Sequence, residues 1–146
     1  MNRIPTMALF LTLSMPLFSQ DRLRIDPLGR NEAVDGCGTC FYAPTAAVTN
    51  VPQLLARDDE SGEYLIRLNG VLHRMKVVKE RVTKKARRKS GLGEQREIIC
   101  KDSEILLTLK TSIQAVGYEN THYVGEMVIK KGQSSAKFKV EGDSGC

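Results

Sequence analysis

The sequence is poor in the residues from which most catalytic and metal sites are built. Its 146 residues include two histidines, four cysteines and no tryptophan. His73 and His122 stand far apart, so no cluster with metal-ligand spacing is present. No glycine-rich phosphate loop follows a strand, and the acidic run Asp58-Asp59-Glu60 lacks the alternating spacing of a calcium loop. The sequence therefore predicts no cofactor, no metal site and no enzyme activity.

Long apolar runs are also scarce, and the one exception lies at the N-terminus. Residues 4–18 are almost wholly apolar, and no charge occurs between Arg3 and Asp21. The run is short of the roughly 20 residues that a membrane-spanning helix needs and is typical of a signal peptide. We therefore predict a signal peptide over residues 1–20, no membrane span, and a secreted or periplasmic domain over residues 21–146.

Each of the four cysteines follows the predicted cleavage point, and an even number in an exported chain favours disulfides. Bridges that close long loops restrict the unfolded chain most, by about 3–5 kcal/mol each. We favour one of Cys37 and Cys40 bonding to Cys100 and the other to Cys146. The alternative pairs Cys37 with Cys40 and Cys100 with Cys146. The Cys-Gly-Thr-Cys spacing also fits a thiol–disulfide exchange site, although Pro44 would stop the helix that such a site uses.

A hairpin is the clearest local signal. Two apolar runs, 64–68 and 71–78, flank Asn69-Gly70, which accepts the positive φ angles of a two-residue turn. The resulting register places six side chains on one mostly apolar face, which we assign to the core: Tyr64, Ile66, Leu68, Val71, His73 and Met75.

Alternation of apolar and polar residues continues through the C-terminal third. It recurs over 105–114, 122–130 and 136–141, and each run ends at turn residues. With a shorter strand at 98–100, the pattern predicts about six strands. We expect a mainly β fold, a single small antiparallel β-sandwich or β-barrel tied by disulfides.

The N-terminal half of the predicted domain is less regular. Residues 21–36 read as a loosely held leading segment and residues 37–44 as a turn. Residues 45–57 fit either a short helix or an edge strand, and the pattern does not decide between them. The glycine-rich stretch 142–145 reads as a final turn.

Positive charge concentrates in one polar segment, 79–96, within a chain of net charge +5. Residues 79–100 contain eight basic and three acidic side chains. The segment has too few apolar residues to be buried, so we predict an exposed loop or the tip of a long hairpin. It is either a solubilising loop or a site for an anionic surface or a protein partner. We predict no nucleic-acid partner, because the run has no interleaved aromatic residues for base stacking and export argues against such a partner. The candidate binding residues are Lys84, Lys85, Arg87, Arg88 and Lys89.

Two resemblances extend these expectations. Residues 36–42, 64–70 and 142–146 resemble a group of small exported Bacteroidota-type proteins of no established function, which implies a β-rich secreted fold. Tyr123, the pair Lys131-Gly132 and a late cysteine resemble the C-terminal third of the membrane-bound C-type lysozyme inhibitor family. A β-barrel of that family inserts a loop into the lysozyme cleft, so the resemblance implies an inhibitory role for Lys131.

The sequence thus predicts a small exported, non-enzymatic binding or accessory domain whose ligand is an unknown protein or an anionic surface. Two alternatives remain open. One is a lysozyme-type hydrolase inhibitor acting through Lys131. The other is a thiol–disulfide oxidoreductase acting through Cys37 and Cys40.

Overall fold

Antiparallel strands build the whole of the described structure. The computed structural model describes residues 22–29, 31–32, 37–44, 53–58 and 61–145. Within these ranges the chain forms one sheet and no helix. The strands are β1 (Ile25–Asp26), β2 (Gly38–Tyr42), β3 (Leu54–Asp58), β4 (Glu63–Leu68), β5 (Val71–Lys84), β6 (Gln95–Lys101), β7 (Ile105–Val116), β8 (Asn120–Lys131) and β9 (Ser134–Gly145).

Eight of these strands close into a barrel. Their order is β4-β3-β2-β9-β8-β7-β6-β5, and β5 pairs back onto β4. The short β1 stands outside the ring and continues the edge of β4, with Ile25 opposite Leu68. Closure gives every ring strand a neighbour on both sides over at least part of its length, although the part of β5 beyond Lys76 pairs with β6 alone. The prediction of a mainly β, antiparallel barrel is confirmed, whereas the predicted count of six strands is too low.

The hairpin predicted around Asn69-Gly70 is confirmed in its register. Leu68 lies opposite Val71, and the following partners alternate as expected along β4 and β5. Asn69 and Gly70 have φ angles of 48° and 81°, the left-handed conformation that this turn requires. Of the six side chains assigned to the core, four are buried: Tyr64, Ile66, Leu68 and Met75.

The core fills the interior of the barrel with the inward side chains of every ring strand. On β7, positions 105, 107, 109, 111 and 113 are buried, while the residues between them are more exposed. This follows from the two-residue period of an extended chain. The other fully buried interior side chains include Phe41, Ile66, Met75, Cys100, Met127, Ile129 and Val140.

A row of alternating charges stabilises the outer wall. Arg81, Glu97, Lys110, Glu126 and Lys139 lie directly opposite one another across five neighbouring strands. Arg81 Nε donates to Glu97 Oε2 at 2.6 Å. Opposite charges in such cross-strand positions contribute roughly 0.2–1 kcal/mol per pair. The row therefore favours this register over one shifted by a residue.

Two turn predictions for the weakly patterned segments are wrong. Residues 38–42, predicted as part of a turn, form β2, and residues 142–145 continue β9 rather than turning. For residues 45–57, where a short helix and an edge strand were both open, the described part is a strand with neighbours on both sides. The physical reason lies partly in Gly142: a Cβ there would stand 2.6 Å from Phe41 Cδ1, so the glycine leaves the space that the ring of its partner Phe41 occupies.

The predicted disulfide connectivity is also wrong. Cys40 and Cys100 carry free thiols. Cys37 is disulfide-bonded, but no bridge joins two cysteines within the described residues. Cys100 points into the barrel and is fully buried, whereas Cys40 alternates with the buried Phe41 and faces outward. The sheet itself separates the two thiols. Cys146 and the predicted signal peptide lie outside the described residues.

Candidate binding surfaces at the open end of the barrel

The two ends of the barrel differ because the strands differ in length. At one end, the closed end, tight turns join β4 to β5 and β8 to β9. At the other, the open end, β5 continues for eight residues beyond its last pairing with β4. The β5–β6 hairpin therefore extends past β4. Both candidate surfaces described below lie at this open end.

The first surface is the tip of the β5–β6 hairpin. Residues 85–94 connect the two strands, so the predicted loop 79–96 is narrower in the structure, its flanks being parts of β5 and β6. Five exposed cations, here called the basic tip, are Lys84, Lys85, Arg87, Arg88 and Lys89. None of the five makes an ion pair or side-chain hydrogen bond with any residue that the structure describes.

Backbone hydrogen bonds hold the C-terminal side of this connection against β7. The Gly93 N–H donates to the Ile113 carbonyl at 2.9 Å, and the Ile113 N–H donates to the Glu94 carbonyl at 3.0 Å. Gly91 and Gly93 have φ angles of 80° and 77°, which only glycine adopts without strain. The tip is therefore an anchored hairpin end rather than the unstructured loop expected for a solubilising segment.

Exposed apolar side chains accompany the basic tip. Leu92, within the same connection, is 43 % exposed. Val116 and the fully exposed Tyr118 lie at the β7–β8 turn, which belongs to the same end of the barrel. The open end thus combines unpaired cations with an aromatic and two aliphatic side chains.

The second surface is a cavity of about 230 Å³ inside the barrel mouth, here called the mouth cavity. Three aromatic rings form part of its wall, and the Phe41 centroid lies 6.3 Å from that of Tyr64 and 6.5 Å from that of Tyr123. The rest of the lining is Thr39, Asp58, Gly62, Val77, Glu80, Arg96, Ile98 and Thr111.

The charges around the mouth cavity are mostly negative. Asp58 and Glu80 contribute carboxylates, and Arg96 contributes the one guanidinium in its lining. Arg96 Nε donates to Glu94 Oε1 at 2.7 Å, and Arg96 Nη1 lies 3.4 Å from Glu80 Oε1. The hydrogen bond from Arg96 to Glu94 raises the pKa of the guanidinium, and the nearby charge of Glu80 adds to the rise. Arg96 is therefore held by carboxylates already present.

The hydroxyl groups in the cavity wall are not equivalent. Tyr123 Oη lies 3.1 Å from Ser144 Oγ, a hydrogen bond between side chains of β8 and β9. Tyr64, in contrast, is only 3 % exposed and packs against the Phe41 ring. Burial raises the pKa of Tyr64, and the charges of Asp58 and Glu80 raise it further, so the phenol stays neutral.

The same carboxylates act on the interior of the barrel. Burial raises the pKa of Cys100 to about 12, with further contributions from the charges of Asp58 and Glu80. A thiol with so high a pKa is protonated at neutral pH and is a poor nucleophile. Cys100 is therefore a core side chain rather than a reactive one.

The structure places the predicted exchange cysteines unfavourably for redox chemistry. Cys37 stands just before β2 and is disulfide-bonded, whereas Cys40 lies within β2 and carries a free thiol, so the two are not bridged to each other. On the outer face Cys40 lies opposite Asp143, which in turn lies opposite His122. His122 Nδ1 is 2.9 Å from Asp143 Oδ1, so the carboxylate stands between the thiol and the histidine. The arrangement does not supply the adjacent base that activates a cysteine nucleophile.

Lys131, the residue implied by the inhibitor resemblance, lies at the closed end. It ends β8 at the turn to β9, and its Nζ is 3.0 Å from Glu104 Oε2. It therefore lies at the other end of the barrel from the basic tip. His73, assigned to the core from the sequence, is only partly buried, and its Nδ1 lies 2.8 Å from Asp102 Oδ2. Val71, assigned to the same face, is exposed.

The sequence missed the mouth cavity because seven of the eight ring strands, β2 to β8, contribute to its wall. One signal was present: Thr111 occupies an inward position in the apolar alternation of β7, where a polar residue needs an explanation. The inward position of Glu80 could not be predicted from the alternation of apolar and polar residues. A bulge between Val77 and Lys79 shifts the register of β5 by one residue, and it turns Glu80 toward the interior.

No family model, curated protein or solved structure matches the chain. These comparisons therefore give no support to either resemblance. Within the described ranges no helix is long and apolar enough to cross a membrane. No group of three or more metal-ligating side chains occurs in that part of the chain.

Proposed function

We propose that the protein is a non-enzymatic binding domain that docks the open end of its barrel on an anionic lipid surface. The observation that carries the proposal is the basic tip: five exposed cations on one anchored hairpin, with no ion-pair partner among the described residues. Elsewhere on the barrel, several exposed basic side chains already have carboxylate partners, as in Lys137 with Glu126. Other exposed cations, such as Lys76 and Lys130, also lack an ion pair within the described ranges, but the tip collects five within six consecutive residues.

The composition of the open end favours lipid head groups over a polysaccharide or an acidic protein. Leu92 and Tyr118 are exposed beside the cations. Apolar and aromatic side chains are stabilised at the boundary between head groups and acyl chains, while Lys and Arg attract anionic lipids. A soluble polyanion would use the cations alone and would leave these side chains in water.

The expected affinity follows from the charge. Each Lys or Arg close to an anionic membrane contributes about 1 kcal/mol, so five contribute about 5 kcal/mol before the cost of association. The hydrogen bonds between Gly93, Glu94 and Ile113 fix the hairpin in advance. Binding therefore requires little additional ordering of the chain.

The test is co-sedimentation of the intact protein with vesicles of phosphatidylcholine alone and of phosphatidylcholine with phosphatidylglycerol. One variant replaces the whole basic tip by glutamine. A matched control replaces five exposed basic residues elsewhere on the barrel and changes the net charge by the same amount: Arg74, Lys76, Lys101, Lys130 and Lys139.

We expect binding only to the vesicles that contain phosphatidylglycerol, a loss of about 100-fold or more in the tip variant, and little loss in the control. Equal losses in the two variants would show that net charge, not the tip, determines binding. Retention on heparin without vesicle binding would assign a soluble polyanion instead and would overturn the lipid proposal.

The two alternatives predicted from the sequence can each be tested simply, but no contact or distance in the structure supports either of them. For hydrolase inhibition, Lys131→Ala should relieve inhibition in a lysozyme assay, although Lys131 already pairs with Glu104. For thiol–disulfide exchange, insulin reduction would have to be lost in Cys37→Ser, although Cys37 is disulfide-bonded and Cys40 is not its partner.

A further inference from the structure

We propose that Cys40 is a modification site that takes up one cysteine from a zwitterionic amino-acid disulfide such as cystine. The sulfur of Cys40 attacks one sulfur of cystine and forms a mixed disulfide with that half. The other half leaves as free cysteine and carries the proton that Cys40 loses, so the protein thiol is oxidised and half of the cystine is reduced. This single stoichiometric exchange is not a catalytic cycle, and it does not involve the basic tip.

Cys40 is accessible from a groove on the outer wall of the barrel, here called the outer groove. Its walls come from β2, from the end of β9 and from the β7–β8 turn with the start of β8. The groove has a volume of about 530 Å³, within the roughly 300–1,000 Å³ of small-molecule sites. Cys40 is partly exposed there and carries a free thiol. A cysteine attached to this sulfur therefore has room to lie in the groove.

A buried guanidinium stands on one side of Cys40. Arg57 of β3 lies directly opposite Cys40, and the alternation of β3 turns Ala56 into the core and Arg57 to the outer face. The Cβ atoms of such opposite residues are about 4.5–5.5 Å apart. Arg57 is only 4 % exposed, and its Nη1 has no hydrogen-bond partner in the part of the chain that the structure describes. Buried charges are normally paired, so Arg57 is the independent indication that an anionic group belongs here.

Tyr42 connects this guanidinium with the outer groove. It lines the groove, and its hydroxyl donates a hydrogen bond to the Cys40 sulfur. Burial raises the pKa of Tyr42, and the neighbouring Cys40 and Asp143 raise it further, whereas the charge of Arg57 acts to lower it. The guanidinium is therefore close enough to act on the side chains that form the groove.

A carboxylate stands on the other side of Cys40. Asp143 of β9 lies directly opposite Cys40 and lines the outer groove. Asp143 Oδ1 is 2.9 Å from His122 Nδ1, and Oδ2 has no hydrogen-bond partner within the described ranges. Glu119, exposed at the β7–β8 turn, lines the same groove. An ammonium group on this side of the sulfur therefore meets carboxylate oxygens that can accept its hydrogen bonds.

The order of these charges selects a zwitterion. Cys40 lies between the cation of Arg57 on β3 and the anion of Asp143 on β9. A cysteine bonded to Cys40 can turn its carboxylate toward β3 and its ammonium toward β9. Two unit charges about 6 Å apart change an equilibrium roughly three- to a hundredfold, depending on the effective dielectric constant. A doubly cationic disulfide would meet repulsion from Arg57, and a doubly anionic one would meet repulsion from Asp143.

The test compares four disulfides on the intact native protein: cystine, dicationic cystamine, dianionic dithiodipropionate and neutral hydroxyethyl disulfide. Peptide mapping with mass spectrometry gives the rate of modification at Cys40. The two test variants are Arg57→Met and Asp143→Asn. Arg74→Met and Glu104→Gln are the matched controls, since they make the same charge changes at exposed positions outside the outer groove. Each disulfide is compared between proteins, so differences in its intrinsic reactivity cancel.

We expect Arg57→Met to slow the reaction with cystine and dithiodipropionate about tenfold, and not to slow cystamine or hydroxyethyl disulfide. Asp143→Asn should slow cystine and cystamine about threefold, because Glu119 remains, and should not slow dithiodipropionate. Neither control should change any rate. An equal effect of Arg57→Met on cystine and on hydroxyethyl disulfide would overturn the proposal, as would a native Cys40 that cystine does not modify.

The stability of Arg57→Met checks the argument independently. Replacing a buried, unpaired charge by an apolar side chain is often neutral or stabilising, so the variant should melt at or above the temperature of wild type. A much lower melting temperature would show that contacts within the protein hold the guanidinium, and would contradict its role as an unpaired charge. The five-glutamine tip variant should react with cystine like wild type, so failure of the lipid proposal is recognised separately.

Discussion

At the scale of single residues, the missing Cβ of Gly142 allows β9 to pair with β2 where the barrel closes. The Phe41 ring of β2 lies across Gly142 of β9, where a Cβ would stand 2.6 Å from Cδ1 and 2.7 Å from Cε1. Phe41 is itself 2 % exposed and packs near Tyr64 and Tyr123, so it has little room to move.

We therefore predict that Gly142→Ala lowers the free energy of unfolding by about 1–3 kcal/mol, the usual cost of overpacking a core. Urea denaturation measures the change. Gly29→Ala is the control, since its added Cβ would meet nothing closer than 3.6 Å and its φ angle is not in the left-handed region. If Gly142→Ala cost no more than the control, the close contact with Phe41 would be wrong.

A second residue-scale feature is the half-buried carboxylate of Asp102. Burial acts to raise its pKa, but hydrogen bonds from the backbone N–H groups of Glu104 and Ile105 and from His73 outweigh burial. The pKa of Asp102 is consequently lower in the folded protein than in the unfolded chain. Its contribution to stability is present above the unfolded pKa of about 3.9 and is lost as the pH falls through the lower folded value.

We expect Asp102→Asn to lower stability most near neutral pH, and the difference from wild type to shrink as the pH falls below about 4. Chemical denaturation at several pH values checks this. Asp143→Asn, which alters the exposed pair with His122, should show little effect at any pH because exposed ion pairs are weak. A constant difference for Asp102→Asn across the acid range would contradict the assignment.

At the scale of elements, the charged residues of the β5–β6 hairpin and the residues that hold it in place are different ones. The five cations of the basic tip are exposed and make no ion pair with described residues, while Gly93 and Ile113 provide the backbone bonds that hold the connection. We therefore predict that the five-glutamine variant melts within about 2 °C of wild type, as surface substitutions away from structural contacts usually do.

Gly93→Ala should lower the melting temperature more than all five glutamine substitutions together. Its φ angle of 77° disfavours any residue with a Cβ, and strain there weakens the bond to Ile113. Calorimetry on the two variants compares the effects. A large loss in the glutamine variant would mean that the cations hold the hairpin in place.

The elements also show why some of the fold could be predicted and some could not. The long strands β7, β8 and β9 repeat the two-residue alternation often enough to be recognised, and Asn69-Gly70 fixes one hairpin by its turn chemistry. β2 and β3 have five residues each, too few for a period to stand out. Their strand state comes from pairing with distant partners, which local sequence does not encode.

Prediction of the candidate surfaces from the local sequence is limited in the same way. Local composition was enough to locate the basic tip, because exposure and charge follow from a polar run. The mouth cavity depends on barrel closure and on the bulge at Val77 and Lys79, which reverses the alternation for Glu80. Neither feature has a signature within one segment of the chain.

At the scale of the whole molecule, the closed barrel wall separates a buried interior from the solvent. The free thiols of Cys40 and Cys100 lie on opposite sides of this wall and can be used to test whether it is closed. Cys40 faces outward and is partly exposed, whereas Cys100 is fully buried, with its pKa raised to about 12 by burial and by the nearby carboxylates of Asp58 and Glu80. The closed barrel should therefore protect only Cys100 from a soluble thiol reagent.

We predict that the native protein is modified by iodoacetamide at Cys40, and that Cys100 reacts only when the barrel unfolds. Peptide mapping after labelling in buffer and in denaturant gives the two rates. Comparable labelling of Cys40 and Cys100 in the native protein would mean that the barrel does not close as described.

The central claim at this scale is that the open end binds an anionic surface through the charges of the basic tip. The most direct measurement is the salt dependence of vesicle affinity for wild type, the tip variant and the five-residue control. The account predicts that affinity for phosphatidylglycerol vesicles falls steeply with salt in wild type and in the control, and that the tip variant is weak and nearly insensitive to salt. An equally steep salt dependence in the tip variant would contradict it.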